Sequence, residues 1–359
     1  MRLPTWDELI AEQLDVMEHP VNEPLFVAGP PGSGKTVLAV RRAEEAAEQG
    51  QKVALVTYNR MLRRLATLLI ERSAVALTMH KFVFDDYLNR TGTKLLNGYD
   101  HDWPEMLATL KNHPNSEATW DHVIVDEGQD LPEGFFEYLY KHATTTLTVF
   151  ADEDQALRAR RTTLAQIRTA GRLPNPHLLS ENHRNSPEIA VLAEHFHSGG
   201  LPTARRRRTA VGQRPRLVQK PDALDIVELI ATWIENRGGT VGVIVSGNQT
   251  GGNIHSALTT RLPERRVDCY VSGGNNENAI ALLNEGVTIL NKESVKGQEF
   301  DTVFLLELEQ FIPCTDDVMK RAMYMMCARA RDYLFLVHRA GLSAAAIASL
   351  PGPGILERG

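Results

Sequence analysis

The stretch GPPGSGKT, Gly29–Thr36, decides the fold of the region around it. It follows the apolar run LFVA (Leu25–Ala28) and opens a helix-like stretch, Thr36–Glu48. A glycine-rich turn between a buried strand and a helix can point its backbone N–H groups inward to cradle phosphate oxygens. The helix N-terminus adds partial positive charge. Gly29, Gly32, Ser33 and Gly34 form the cradle. Lys35 is placed for the β- and γ-phosphates, and Thr36 for Mg²⁺.

Further along, VIVDEGQD (Val123–Asp130) supplies the other half of such a site. An apolar strand delivers Asp126 and Glu127 at its C-terminal end, where ligands bind in open α/β sheets. Asp126 would hold Mg²⁺ and Glu127 would polarise the attacking water. Together the two motifs point to a Mg²⁺-dependent NTPase.

Apolar, β-rich runs alternate with helical stretches along the rest of the chain. They are Val53–Tyr58, His122–Val125 and Thr146–Ala151, then Arg216–Gln219, Val241–Ser246, Val267–Val271, Val287–Leu290, Thr302–Leu308 and Tyr333–Val337. Helix-like stretches include Arg60–Glu71 and Ile226–Asn236. Continuous apolar runs suit strands covered on both faces, so the expected class is α/β with mostly parallel sheets. The runs fall into two sets, divided at GRLPNP (Gly171–Pro176), which predicts domains at 1–175 and 176–359. Gly247–Asn253 and Gly273–Asn278 read as turns or surface loops, and the C-terminal LPGPGILERG as a frayed tail. Residues 201–220 hold seven basic residues and no acidic one. They are either a solvated loop or a phosphate-contacting patch.

Composition narrows the class. The chain has 359 residues, 43% of them apolar, which is enough to build cores and excludes disorder as the main state. No run reaches the ~18 apolar residues of a membrane span. The polar, acidic N-terminus does not read as a secretory signal. Three cysteines, Cys269, Cys314 and Cys327, show no metal-ligand spacing and fit a reducing cytoplasm. A net charge of −6 excludes a histone-like polycation but not a local nucleic-acid surface.

The order of the motifs resembles that of superfamily 1 helicases of the UvrD/Rep type, from Gln13 to Arg329. Gln13 lies sixteen residues before Gly29, where that family places an adenine-reading glutamine. VTYNR (Val56–Arg60) is similar to motif Ia and TMHKF (Thr78–Phe82) to motif Ib. FADEDQ (Phe150–Gln155) is similar to motif III, and LSENHRNSPEIA (Leu179–Ala190) to motif IV. VTILNKESVKGQEFDTVFL (Val287–Leu305) is similar to motif V, and YMMCARARDYLFLV (Tyr324–Val337) to motif VI.

The resemblance implies two RecA-like domains with ATP in the cleft between them. It makes Gln155 a γ-phosphate sensor and gives Arg184 and Arg329 the role of cations at the γ-phosphate. Glu299, beside Gly297 in KGQEF, would bind the ribose, and His183 would stack on adenine. Thr57, Tyr58, Asn59, His80 and Ser294 would touch a single strand. The polar ones could equally be strand-end capping residues, and Tyr58 could belong to the core.

Departures from the family pattern limit what is implied. Only 40 residues (81–120) follow His80 before the strand of DEGQD, and 102 (185–286) separate Arg184 from motif V. The large accessory domains of UvrD-like helicases cannot fit there. After Gln155 the chain runs ALRARR (Ala156–Arg161), where the family has stacking aromatics. Arg158 and Arg160 stand near those positions and could stack on bases or bind phosphate. Asn291–Glu293 replace a Thr-Leu-His run, and Ala328 a threonine. The expected activity is ATP-dependent translocation on single-stranded nucleic acid, DNA before RNA and 3′→5′. The rival is a regulatory ATPase subunit acting with a protein partner such as a nuclease.

Overall fold

A computed structural model describes the chain except residues 1, 2, 4, 72–73, 96–100, 112, 114–116, 153–161, 199–204, 207, 209–212 and 275. The chain divides into two compact units. One comprises residues 2–30 and 34–180, and the other residues 31–33 and 181–359.

The first unit carries strands β1 (Leu25–Ala28), β2 (Val53–Thr57), β3 (Val75–Thr78), β4 (Trp120–Val125), β5 (Thr144–Ala151) and β6 (His177–Leu178). Its helices are α1 (Ala11–Glu18), α2 (Lys35–Glu48), α3 (Arg60–Leu69), α4 (Met79–Thr91), α5 (Trp103–Lys111), α6 (Glu133–Tyr138) and α7 (Leu164–Ala170). The strands form one parallel sheet in the order β3-β2-β4-β5-β1-β6. Every residue of β1 and β2 is buried, as an apolar run between two helical layers must be. One strand, β5, lies between β1, which leads into the glycine-rich loop, and β4, which delivers the acidic pair.

In α3 the apolar residues Met61, Leu62, Leu65, Ala66 and Leu69 fall on one buried face. Asn59 starts that helix by accepting the Met61 N–H at 2.7 Å. A helix, α5, lies in the stretch of polar composition after Thr91. It buries Met106 and Leu110 in the same core as Phe82, Phe135 and Tyr138.

The second unit carries β7 (Glu181–Asn182), β8 (Arg205–Arg206), β9 (Arg216–Gln219), β10 (Thr240–Val245), β11 (Val267–Cys269), β12 (Gly286–Asn291), β13 (Phe300–Leu305), β14 (Ala330–His338) and β15 (Glu357–Arg358). Its helices are α8 (Pro187–Glu194), α9 (Ala223–Arg237), α10 (Asn248–Arg261), α11 (Asp317–Cys327) and α12 (Ala344–Ala348). Seven strands form a parallel sheet, β11-β12-β10-β13-β14-β9-β15, and β7 pairs with β8. Both units therefore have the α/β, mostly parallel architecture of RecA-like P-loop domains.

Two local expectations fail. Gly247–Asn253 is not a loop, because α10 runs through it. Gly251 is buried on the face of α10 turned to the sheet, beside Val245, Cys269 and Ile289. The burial of Ile254 and Leu258 outweighs the weak helix propensity of glycine and asparagine. The C-terminus is also no frayed tail. Leu356 is fully buried, and β15 adds to the sheet edge through Glu357 N–H to the Pro215 carbonyl at 2.9 Å.

The two sheets end one central strand alike. After β4, Glu127 adopts φ 56°, ψ 45°, and after β13, Glu307 adopts φ 54°, ψ 41°; a short 3₁₀ turn follows each. In the second unit Leu306 stands where the first has Asp126. The Glu307 carboxylate accepts the Ser246 N–H at 3.0 Å and the Thr250 hydroxyl at 3.0 Å. That carboxylate is engaged in holding the start of α10.

Candidate nucleotide site

The glycine-rich loop leads into α2 of the first unit, whose N-cap Gly34 has φ +90°; Gly32, counted with the second unit, has φ +81°. Both values lie in the left-handed region, where only glycine is unstrained. Gly34 is also pressed from outside: a Cβ there would meet Gln13 Nε2 at 2.8 Å. No side chain caps α2, and its first turn carries no acidic residue. The N-terminal N–H groups of the helix are thus suited to an anion.

Lys35 is buried and donates to the carbonyls of Gly29 at 2.6 Å and Pro30 at 2.8 Å. It lies 3.2 Å from the Asp152 carboxylate at the end of β5. Asp126 is fully enclosed. Burial raises its pKa most, and the neighbouring Glu127 charge adds to the rise; Thr36 and Lys35 oppose it. Its Oδ1 accepts the Glu127 N–H at 3.0 Å, while Oδ2 is buried with no hydrogen-bond partner. A buried carboxylate oxygen lacking a donor, next to a threonine hydroxyl, is a donor set that fits a hard divalent cation such as Mg²⁺.

Glu127 holds a left-handed backbone that a non-glycine residue adopts at a cost, a strain common at functional sites. Its carboxylate accepts Gln129 Nε2 at 2.5 Å, and Gln129 Oε1 accepts the Asp152 N–H at 2.9 Å. Gln129, 1% exposed, thereby ties the Glu127 side chain to the strand end that carries Asp152. Sequence reasoning passed over Gln129 and Asp152, although both stand inside quoted motifs, DEGQD and FADEDQ. Gln13 lies on α1, with Oε1 accepting the Ile10 N–H at 3.3 Å. Gln155, Arg158 and Arg160 lie outside the described residues.

In the second unit Arg184 donates from Nε to Glu299 at 2.8 Å. The carboxylate expected at a ribose is thus the counter-ion of a cation expected at a phosphate. Arg329 is 1% exposed and donates to the carbonyls of Met325 at 2.9 Å and Gln298 at 3.4 Å. The Asn185 carboxamide donates to the carbonyls of Ala328 and Ala330, the two residues flanking Arg329. Ser186 N–H donates to the Arg331 carbonyl at 2.8 Å. Arg208 donates to the carbonyls of Arg184 at 2.9 Å and Arg331 at 3.1 Å. The segments bearing Arg184 and Arg329 are therefore laced into one block. Asn185 is the residue sequence reasoning missed here, while Arg208, read as part of a basic loop or phosphate patch, bonds instead to this block. His183 is half-buried, its Nε2 3.8 Å from Glu181. Gly297 has φ +77° in the turn before Glu299.

Arginines of the basic segment are engaged within this unit. Arg206 pairs with Glu194 at 3.0 Å, Arg208 with Asp332 at 2.7 Å and Arg216 with Glu357 at 3.5 Å.

The strand-contact candidates occupy varied surroundings. Thr57 is 1% exposed, Asn59 caps α3, and Ser294 is buried with its hydroxyl 3.1 Å from that of Ser272. Tyr58 and His80 are half-buried, ring centroids 5.8 Å apart. His80 Nδ1 lies 3.3 Å from His101 Nε2, and the His101 ring is 5.2 Å from that of Trp103. His101 and Trp103 thus extend an aromatic row that the motifs alone did not reveal. Among the described residues no helix is long and apolar enough to cross a membrane, and no group of three or more His, Cys, Asp or Glu could hold a metal.

Comparison with curated proteins gave no match. Among solved structures, the chain is similar to the C-terminal domain of a possible DNA helicase from Lactobacillus plantarum WCFS1. That similarity has 20% identity and a TM-score of 0.36, over 49% of this chain and 97% of that one. The chain is also similar to the PRRSV helicase, at 14% identity and a TM-score of 0.44, over 91% of this chain and 54% of that one. It spans about half the length of the viral protein. A family model described as an AAA domain matches residues 13–160. That match takes in Gln13, the glycine-rich loop, the acidic pair and Asp152; the loop, the pair and Asp152 follow the C-terminal ends of β1, β4 and β5.

Proposed function

We propose that this chain is an ATP- and Mg²⁺-dependent motor of the superfamily 1, UvrD/Rep-like helicase type. It is a compact form that moves 3′→5′ on single-stranded nucleic acid, DNA rather than RNA. One observation carries the ATPase part. Lys35, Thr36, Asp126 and Glu127 converge within a single unit, around a loop whose glycines and helix N-terminus suit phosphate. In this reading Thr36 and Asp126 would hold Mg²⁺, which supplies charge neutralisation at the β- and γ-phosphates when bound. Glu127 orients the attacking water, and Gln129 holds Glu127. Arg184 and Arg329 take the role of transition-state cations. The choice of track and polarity rests on the order of motifs. Three free thiols agree with a cytoplasmic setting.

A second reading is a regulatory ATPase subunit of a nucleic-acid-processing or defence complex. The short spacings that exclude accessory domains and the ALRARR continuation favour it. Steady-state ATP hydrolysis with no polymer, single-stranded DNA, single-stranded RNA and duplex separates the two, with Lys35→Ala as the blank. Strong stimulation by single-stranded DNA is expected. Basal hydrolysis that no polymer changes would favour the regulatory subunit, and hydrolysis retained by Lys35→Ala would overturn the site.

A further inference from the structure

Arg42 is a fully buried arginine on α2, the helix that begins with Lys35 and Thr36. It faces neither the phosphate loop nor solvent. Its Nη1 donates to the His19 carbonyl at 2.8 Å and its Nη2 to the Pro20 carbonyl at 2.7 Å. Its Nε donates to the Thr148 hydroxyl at 3.1 Å, on β5. His19 is the C-cap of α1. The guanidinium fork therefore grips the C-cap carbonyl of the helix carrying Gln13 and the carbonyl of the residue after it.

The grip has a physical reason to matter. An eight-residue helix is marginal by itself, because helix nucleation is costly and few bonds repay it. A cation just past the C-terminus of α1 complements the helix dipole and fixes the chain where it leaves the helix. Burial lowers the Arg42 pKa to about 10, which leaves it charged at neutral pH. At the other end of α1, the Gln13 carboxamide lies against Gly34, the residue before Lys35. A glutamine carboxamide sets an NH₂ donor group beside a carbonyl acceptor, the complement of the N6 donor and N7 acceptor that adenine presents and guanine does not.

We propose that Arg42 is a positioning residue for base selection: it clamps α1 to the phosphate-binding helix and so sets where Gln13 stands. The proposal rests on the nucleotide reading of this site. Arg42 touches no nucleotide in this account; it acts through Gln13.

The test is binding of ADP, GDP and inorganic pyrophosphate to the full chain by calorimetry. The variants are Gln13→Ala, Arg42→Lys, Arg42→Met and the double variant Gln13→Ala/Arg42→Met. Lysine keeps a buried cation but cannot bridge two carbonyls, so Arg42→Lys tests the fork in a chain that still folds. Arg42→Lys is expected to weaken ADP at least tenfold and to bring the ADP-to-GDP preference down to that of Gln13→Ala. Pyrophosphate affinity should stay within twofold of wild type. The double variant should discriminate no worse than Gln13→Ala. A wild-type preference in Arg42→Lys, or an equal loss of pyrophosphate binding, would overturn the clamp. A Gln13→Ala chain that still prefers ADP would overturn it too, while leaving phosphate binding at the loop intact. A wild-type chain that binds neither ADP nor pyrophosphate would overturn the nucleotide reading itself, and the clamp with it.

Discussion

The Asp152 carboxylate stands 3.2 Å from the Lys35 ammonium, and both groups are buried. A strand-end acid thus anchors the lysine of the phosphate loop. Removing one member of a buried pair leaves the other charge uncompensated. Asp152→Ala should lower Tm, and Lys35→Ala should abolish ATP turnover. Thermal unfolding and steady-state hydrolysis check the two.

Glu127 and Gln129 should separate in kinetics. General-base assistance contributes about 10²–10⁴ in rate. Glu127→Gln should therefore lose turnover by roughly 10²-fold or more while still binding ATP. Gln129→Ala frees the Glu127 side chain without removing it. Its kcat should fall by a smaller factor at nearly unchanged KM. An equal rise in KM would show that Gln129 supports binding instead.

The Asp126 carboxylate offers a buried oxygen with no hydrogen-bond partner, next to Thr36. Anything that binds only the folded chain stabilises it by mass action. Mg²⁺ with ADP should raise Tm in wild type, and chelation should reverse the rise. Asp126→Asn should abolish the response to Mg²⁺ while keeping the fold. An undiminished response in that variant would remove Asp126 from the metal site.

Arg184, Arg329 and Asn185 test the laced block of the second unit. A well-placed arginine at a transferring phosphoryl group is worth about 10³–10⁵ in rate. Arg184→Ala and Arg329→Ala should each reduce kcat far more than ATP affinity. Asn185 is 2% exposed and donates to carbonyls on both sides of Arg329. Asn185→Ala removes a donor from both carbonyls and leaves Ala328 only the 3.4 Å bond from Arg184 Nη1, at about 1–3 kcal/mol of stability. Its kcat should fall as well, because both arginine-bearing segments lose a shared tie.

His122 should govern part of the acid response. It is fully buried on β4, with Nε2 2.8 Å from the Thr148 hydroxyl. Burial, and then the Arg42 charge, push its pKa down to about 3 from 6.5. The folded chain excludes a proton that the unfolded chain accepts below pH 6.5. This contribution to stability is complete above pH 6.5 and declines as pH falls toward 3, by about 1.4 kcal/mol per pH unit at most. Denaturant titrations between pH 7 and pH 4 should show a flatter profile for His122→Gln. An unchanged slope would assign acid unfolding to other groups.

Much of the site was legible because its signals are local. Gly32 and Gly34 mark left-handed backbone, and Lys35 and Thr36 follow at the start of a helix, so one short stretch specifies loop, cradle and cation. The buried strands β1 and β2 were legible for a similar reason, as apolar runs covered on both sides. Gly247–Asn253 was not. Its helix is held by the burial of Ile254 and Leu258 against the sheet, which is not a property of the segment alone. The C-terminal strand depends likewise on an open edge beside β9.

The sequence by itself determined the α/β class and the residues suited to phosphate chemistry, because periodicity and motif spacing are short-range properties of the chain. Tertiary structure alone decided which groups those residues answer to. It set Asp152 against Lys35, Gln129 against Glu127, Glu299 against Arg184, and the Arg42 fork against the end of α1. Arg42 and Thr148 are 106 positions apart, and Arg184 and Glu299 are 115. Such contacts arise only when the fold packs distant segments together, and no spacing along the chain encodes them.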